Sequence, residues 1–228
     1  MPRSVHIPMR LMLNHLKMKR ISLLLTLGVI MAAGINAQEQ KIGLPSPDME
    51  RQGNVMKALQ DRKSTREFSS GLLSRQDLGD LVWAACGINR PDGRRTAGSA
   101  LNKQDCELYV IMEDGAYLYD AKEHSLVLVK EGDWRGAVAG KQKFVLEAPV
   151  SLVIVSDYSK MGDVSSSHTK TMCAVDAGII SQNISIFCAS AGMATVARAS
   201  MDEDALRKAL ELSPAQHPLI NHPVGYFR

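Results

Sequence analysis

Three cations and two hydroxyls crowd into five residues at Arg62-Lys63-Ser64-Thr65-Arg66. Such a run can hold a phosphate and the polar edge of a heterocycle, because guanidinium forks match phosphate oxygens and hydroxyls add donors. It equally suits a solvated helix end, where cations favour the C-terminal dipole. A second run, Arg95 to Gln104, closes a loop from Arg90 that is rich in Gly, Ser, Asn and Arg. There Asn102 and Gln104 each carry a donor and an acceptor suited to the amide edges of a ring. A third candidate is Asp176-Ala177-Gly178 with Gln182-Asn183. Small residues in an apolar helix let something flat, or another backbone, approach closely. Tight helix packing explains them as well.

Other chemistry finds less support. Gly136 to Gln142 looks like a phosphate-cradling loop, but it is one residue short and lacks the Ser/Thr. Cys173 or Cys188 paired with His168, His217 or His222 has no local signature of a thiol nucleophile and its base. There is no C-x-x-C and no H-E-x-x-H, so no metal site is expected. Cys86, Cys106, Cys173 and Cys188 read as small buried hydrophobes. Cys173 and Cys188 share one expected helix, about 22 Å apart at the helical rise, too far to bridge.

The elements that must position these groups follow from period and punctuation. Residues 38–52 read as an extended arm; Asn54 caps a helix to about Lys63, and Ser74 starts a second that Gly87 ends. Leu108–Met112, the Asp114-Gly115 turn and Ala116–Tyr119 form a hairpin, with a further strand from Ser125 to Val129. One helix is expected from about Trp134 to Leu146, before Pro149. Val150–Val155 is continuously apolar, hence a central strand covered on both faces. A long core helix spans about His168 to Ala191. Thr195–Ala197 is a short strand, Asp202 caps a last helix to about Leu212, and Ile220–Phe227 is extended. The order predicts an α+β fold around a mixed, mainly antiparallel sheet rather than a doubly wound one.

The chain of 228 residues suits one domain plus an appendage at the front. Met18-Lys19-Arg20, an apolar run from Ile21 to Ala33 and small residues to Ala37 have the order of a secretory signal. We therefore expect a leader over 1–37, an exported domain over 38–228 working in the periplasm or outside the cell, and no stable membrane insertion. Met18 is the more natural start. Five of the 27 basic residues lie in 1–37, leaving 22 against 24 acidic ones, a net charge of −2. The overall basicity belongs to the leader, and nucleic-acid binding is not expected.

Taken together, the three runs resemble the nitroreductase family of FMN enzymes, over about Val55 to Arg228. The R-x-S-x-R/K pattern is Arg62, Ser64 and Arg66, and a serine-containing loop leads to Asn102-x-Gln104 before a strand. The core-helix pattern is Asp176, Gly178, Gln182 and Asn183, followed by Gly192 and Val196. The Asp114–Asp120 hairpin and Pro223-Val224-Gly225-Tyr226 look more like the branch related to azoline (thiazole/oxazole) dehydrogenases.

This resemblance implies an obligate homodimer with FMN sites at the interface, each built from both subunits. By position, Arg62, Lys63 and Ser64 would serve the phosphate and ribityl chain, and Arg66 the pyrimidine edge. Asn102 would bond the ring, with Gln104 close by, and the backbone of Ala199-Ser200 would approach N5, in place of the family's usual Glu-Gly. Many relatives have further cations beyond the last strand; here Arg228 is the one residue placed for that role. The implied activity is ping-pong reduction of small flat acceptors, such as nitroaromatics or quinones, by NADH or NADPH. Flavin N5 then carries the chemistry, with no catalytic side chain. The alternatives are an FMN-dependent dehydrogenase of azoline-type rings and a non-catalytic flavin-binding envelope protein.

Overall fold

The computed structural model describes residues 40–228. The expected leader and its cleavage point lie outside them. After a short strand β1 (Lys41–Gly43), helix α1 (Val55–Asp61) starts where Asn54 Oδ1 accepts from Lys57 N at 3.0 Å. Ser74 caps helix α2 (Arg75–Cys86) in the same way, from Asp77 N. These side chains satisfy amides that the first helical turn leaves without intrahelical partners. Leu78, Leu81, Val82 and Ala85 form the buried face of α2.

Strands β2 (Cys106–Ile111), β3 (Gly115–Asp120), β4 (Ser125–Glu131), β5 (Val150–Asp157), β6 (Met193–Thr195) and β7 (Gln216–Tyr226) complete a seven-stranded sheet. Its order is β1-β4-β3-β2-β5-β7-β6. Every strand pairing is antiparallel, so the sheet is more uniform than the mixed one expected. Strand β5 is central and buried along nearly its whole length, as its apolar run requires.

Period-two alternation divides the core. Leu108, Val110, Leu152 and Ile154 point to a layer formed with α2 and the long helix α4 (Ser167–Ser190). Tyr109, Ile111, Val153 and Val155 point to the opposite layer, with α3 (Arg135–Ala139) and α5 (Glu203–Ala209). Helix α4 is long and apolar enough to cross a membrane on length and composition alone. Here Cys173, Ala177, Ile180, Ile184 and Cys188 instead bury one of its faces in the sheet layer.

Several element boundaries differ from expectation: β7 begins at Gln216 rather than Ile220, α5 ends at Ala209 rather than near Leu212, and two further differences bear on the site. The helix expected from Trp134 to Leu146 is α3 followed by a separate 3-10 turn, Lys143–Glu147. Gly140 breaks it at φ 52, and the backbone of Met201 and Asp202 passes 3.4–3.6 Å from where a Cβ would stand. The strand expected at Thr195–Ala197 lies earlier, at Met193–Thr195; residues 196–197 stand out of the ladder before Arg198 rejoins β7 in a single bridge with Asn221. All four cysteines are free and buried, in keeping with their reading as small hydrophobes.

Candidate functional site

The run Arg62–Arg66 is a strap laid from the end of α1 across the edge of the sheet. Thr65 N donates to Thr195 O of β6 at 2.9 Å, and Ser69 N to Tyr226 O of β7 at 2.9 Å. Between them Phe68, 1% exposed, plugs into Ala148 and Ala194, with Phe144 packed alongside. Gly225 is required there, since an added Cβ would stand 2.9 Å from Pro149 Cδ and 3.3 Å from the Phe68 ring. One anchored aromatic thus fixes the strap, while the side chains of Arg62, Lys63, Ser64 and Arg66 stay exposed. Among the described residues none of these four side chains makes a hydrogen bond or ion pair.

The strap meets a second cation that the sequence did not single out. Arg198 is 7% exposed, and its guanidinium lies 5.6 Å from the Phe144 ring centroid, with that of Arg66 at 6.0 Å from the same ring. Its donors go to neutral acceptors alone: Gln142 Oε1 at 3.0 Å, Asn221 Oδ1 at 2.6 Å, and the carbonyls of Val138 and Ala139, both at 3.2 Å. Burial, and then the nearby Arg66 charge, push its pKa down. Ala199 and Ser200 follow directly and are exposed, with Ser200 O held by Asn221 Nδ2 at 3.1 Å. Beside them an open groove of about 880 Å³ is lined by Gly140, Lys141, Gln142, Ser200 and Met201 and by the acidic start of α5, Asp202, Glu203 and Asp204. Arg228 is exposed and its Nη2 engages Glu147 Oε2 at 2.8 Å.

Asn102 and Gln104 lead into the start of β2, in register with Ser156 and His217, whereas the strap is held at Thr195 and Tyr226, toward the opposite end of β7. No hydrogen bond or ion pair among the described residues joins Asn102 or Gln104 to the strap. Their loop is wound tightly: Leu101, Asn102 and Gln104 have φ of 52, 54 and 48. Residues with a Cβ hold that conformation only where their surroundings impose it. Ala100 N donates to Asp176 Oδ2 at 2.8 Å, Gln104 N to Ser99 Oγ at 2.9 Å, and Gln104 Nε2 to Gly93 O at 3.1 Å.

Asp176 therefore serves the loop rather than a ligand directly. Beneath it Asp105 is fully buried, with Oδ2 taking Ser156 Oγ–H at 2.5 Å and Oδ1 without a donor among the described residues. A proton on Asp176 supplies that donor. Burial first, then the facing Asp105, raise the Asp176 pKa to about 6. Because the folded value lies above the unfolded one, this pair stabilises most in acid and loses its contribution as pH rises through about 6. Asp176→Asn replaces the proton with a permanent N–H. Melting temperatures of this variant and wild type, compared from pH 4 to 7, should converge at low pH, with the variant at least as stable at pH 7. A variant that is less stable throughout would remove the shared-proton account.

The rest of the core-helix pattern divides. Asn183 Nδ2 donates to Ala84 O at 3.1 Å, closing the end of α2. Gln182 is exposed. A Cβ at Gly178 would meet nothing within 4 Å, so packing inside this chain does not require the glycine. The face beside it is open to something from outside.

Comparison with known proteins fits this layout. The model of the nitroreductase family matches residues 59–226. The chain belongs to the nitroreductase family. Its sequence is 28% identical over 188 residues to a nitroreductase-named protein of Methanocaldococcus jannaschii, covering 78% of this chain and 93% of that one. A nitroreductase-named crystal structure from Ralstonia eutropha superposes with a TM-score of 0.77 at 34% identity, covering 85% of this chain and 92% of the other. A longer nitroreductase-named protein of Anabaena variabilis shares the fold, with a TM-score of 0.69 at 16% identity, over 84% of this chain and 42% of its own. The nitroreductase-family match runs through the strap, the groove and the loop, and identifies this chain as an oxidoreductase homologue. Arg198 and Phe144 escaped the sequence reading because one arginine after a short apolar strand looks like any surface cation. Its partners, from α3, the 3-10 turn and β7, are assembled only by folding.

Proposed function

We propose that this chain is an FMN-dependent oxidoreductase that draws electrons from NADH or NADPH and passes them to small flat acceptors such as nitroaromatics or quinones. The observation that carries this reading is a cluster of cations without acid partners: the exposed strap residues Arg62, Lys63 and Arg66, and buried Arg198, which shares the Phe144 ring with Arg66. Arg62, Lys63 and Arg66 have no carboxylate partner among the described residues, and neither does buried Arg198. A phosphate and a ring that gains negative charge on reduction fit those cations; a purely apolar ligand does not. When bound, FMN supplies the two-electron redox step.

The chain's own part is to bind, orient and exclude. Arg62, Lys63 and Ser64 would hold the phosphate end, and Arg66 the polar edge of the ring. The 199–200 backbone, steadied by Asn221, would line the reacting side. Arg228 joins only by exchanging Glu147 for the ligand, an exposed pair whose loss costs little. Asn102 and Gln104, set apart from the strap within one chain, would complete the site of a second copy. That places the homodimer in the proposal. Val55, Met56 and Leu59 of α1 and Val175 and Ile179 of α4 leave apolar side chains uncovered, which supports it. Export through a leader at residues 1–37 stays part of the proposal, and N-terminal sequencing of the mature protein tests it.

The deciding experiment is an absorbance spectrum of the purified protein, supplied with FMN, followed by anaerobic NADH or NADPH. Flavin bands that bleach on addition and return with a quinone are the expected result. Bands that persist would move the function to another donor, to azoline-type dehydrogenation, or to a carrier without turnover. Failure to bind FMN at all would overturn the reading.

A further inference from the structure

We propose that Arg198 sets the electron affinity of the bound flavin, as a buried, acid-free guanidinium held behind the backbone of residues 199–200. This rests on the FMN reading above and adds a residue with no counterpart in the family patterns found in the sequence. Buried charges are ordinarily paired with an opposite charge, because desolvation is costly. Arg198 meets four neutral acceptors instead, which satisfy its N–H groups and leave its charge uncancelled. An arginine cannot shed that charge by deprotonating. Arg66, across the Phe144 ring, adds a second positive charge rather than relief. The carboxylates of the groove, Asp202, Glu203 and Asp204, form no ion pair with either arginine among the described residues, so negative charge arriving beside residues 199–200 would offset both.

Position separates this role from phosphate binding. The exposed Arg62–Ser64 end of the strap supplies cations for a phosphate, while Arg198 directly precedes the residues that would line the ring. Its acceptors come from the end of α3, from Gln142 and from β7, so the charge is fixed before any ligand binds. Fixed charge in a poorly solvated site stabilises developing negative charge without reorganisation. Electrons placed on the ring raise its negative charge, so Arg198 should favour uptake and raise the midpoint potential.

Arg198 also ties α3 to β7, and a purely structural role must be told apart. Three variants do so, each read by FMN affinity and by the midpoint potential of the bound flavin in an anaerobic dye titration. Arg198→Met should shift the ratio of affinities for the two oxidation states by about tenfold, about 30 mV downward for a two-electron couple. Arg198→Lys, which keeps the charge, should restore most of that shift. Gln142→Glu sets a carboxylate against Arg198 Nε from an exposed position and should lower the potential without removing any Arg198 bond. If Arg198→Met fails to fold, Arg198→Gln, which keeps donors toward the same neutral acceptors without the charge, takes its place. Wild-type protein that takes up no FMN overturns the FMN reading. Wild-type protein that binds FMN, with potentials unmoved in the variants, overturns only the role of Arg198.

Discussion

Acidification from pH 6.5 to about 3 should remove on the order of 4–5 kcal/mol of stability through one side chain, His222. This histidine is fully buried, and burial holds its pKa down at about 3. Thr195 Oγ1 donates to Pro223 O at 2.9 Å, which leaves its oxygen to accept from His222 Nδ1 at 3.2 Å. Ser181 Oγ then donates to Nε2 at 2.8 Å. The network fits the neutral Nδ1–H form; a proton on Nε2 as well would require the Ser181 hydroxyl to turn and would bury a charge with no acid partner in the network. Between the folded and unfolded pKa values the unfolded chain binds the extra proton, so stability rises with pH across that window and falls on acidification. The effect opposes that of Asp176, so it is read as a difference between variants. Urea unfolding of His222→Gln and wild type from pH 3.5 to 7 should show the acid-labile component in wild type alone. Equal slopes in both proteins would refute the assignment. The consequence reaches the site, because Thr195 also supplies the carbonyl that holds Thr65 of the strap.

Phe68→Ala should cost about 3–5 kcal/mol, the range for emptying a large aromatic from a packed interior. The ring is 1% exposed and sits against Ala148 and Ala194, small residues that cannot close the cavity themselves. Gly225 gives way to the ring for the same reason, so Phe68 and Gly225 form a matched pair. Loss of Phe68 should therefore also loosen the strap and weaken FMN binding by more than its distance from the exposed cations suggests. Denaturant unfolding together with FMN titration of Phe68→Ala and Phe68→Leu checks both effects, with Leu recovering about half of the loss. Full stability in Phe68→Ala would mean that the strap is held by its two backbone hydrogen bonds alone.

Much of the architecture was written in local pattern. Asn54, Ser74 and Asp202 each cap the helix expected of them, because a cap needs only one side chain and the amide three residues on. The Asp114-Gly115 hairpin and the central Val150–Val155 strand followed from turn chemistry and apolar runs. The strap and the Asn102–Gln104 loop were likewise legible as places where polar groups gather without an apolar period. The helix expected across Gly140 was not, because the break depends on the backbone of Met201 and Asp202 arriving from a distant segment.

The sequence by itself determined which residues could bind an anion and which segments would be helix or strand, since both rest on side-chain chemistry and spacing within a few residues. Only the tertiary structure decided how those residues are used. It tied Asp176 to a backbone amide 76 positions away, buried Arg198 without an acid, and left Asn102 apart from Arg62 within one chain. These outcomes depend on which groups are desolvated together. That is set by the packing of segments remote in sequence, for which local pattern carries no signal.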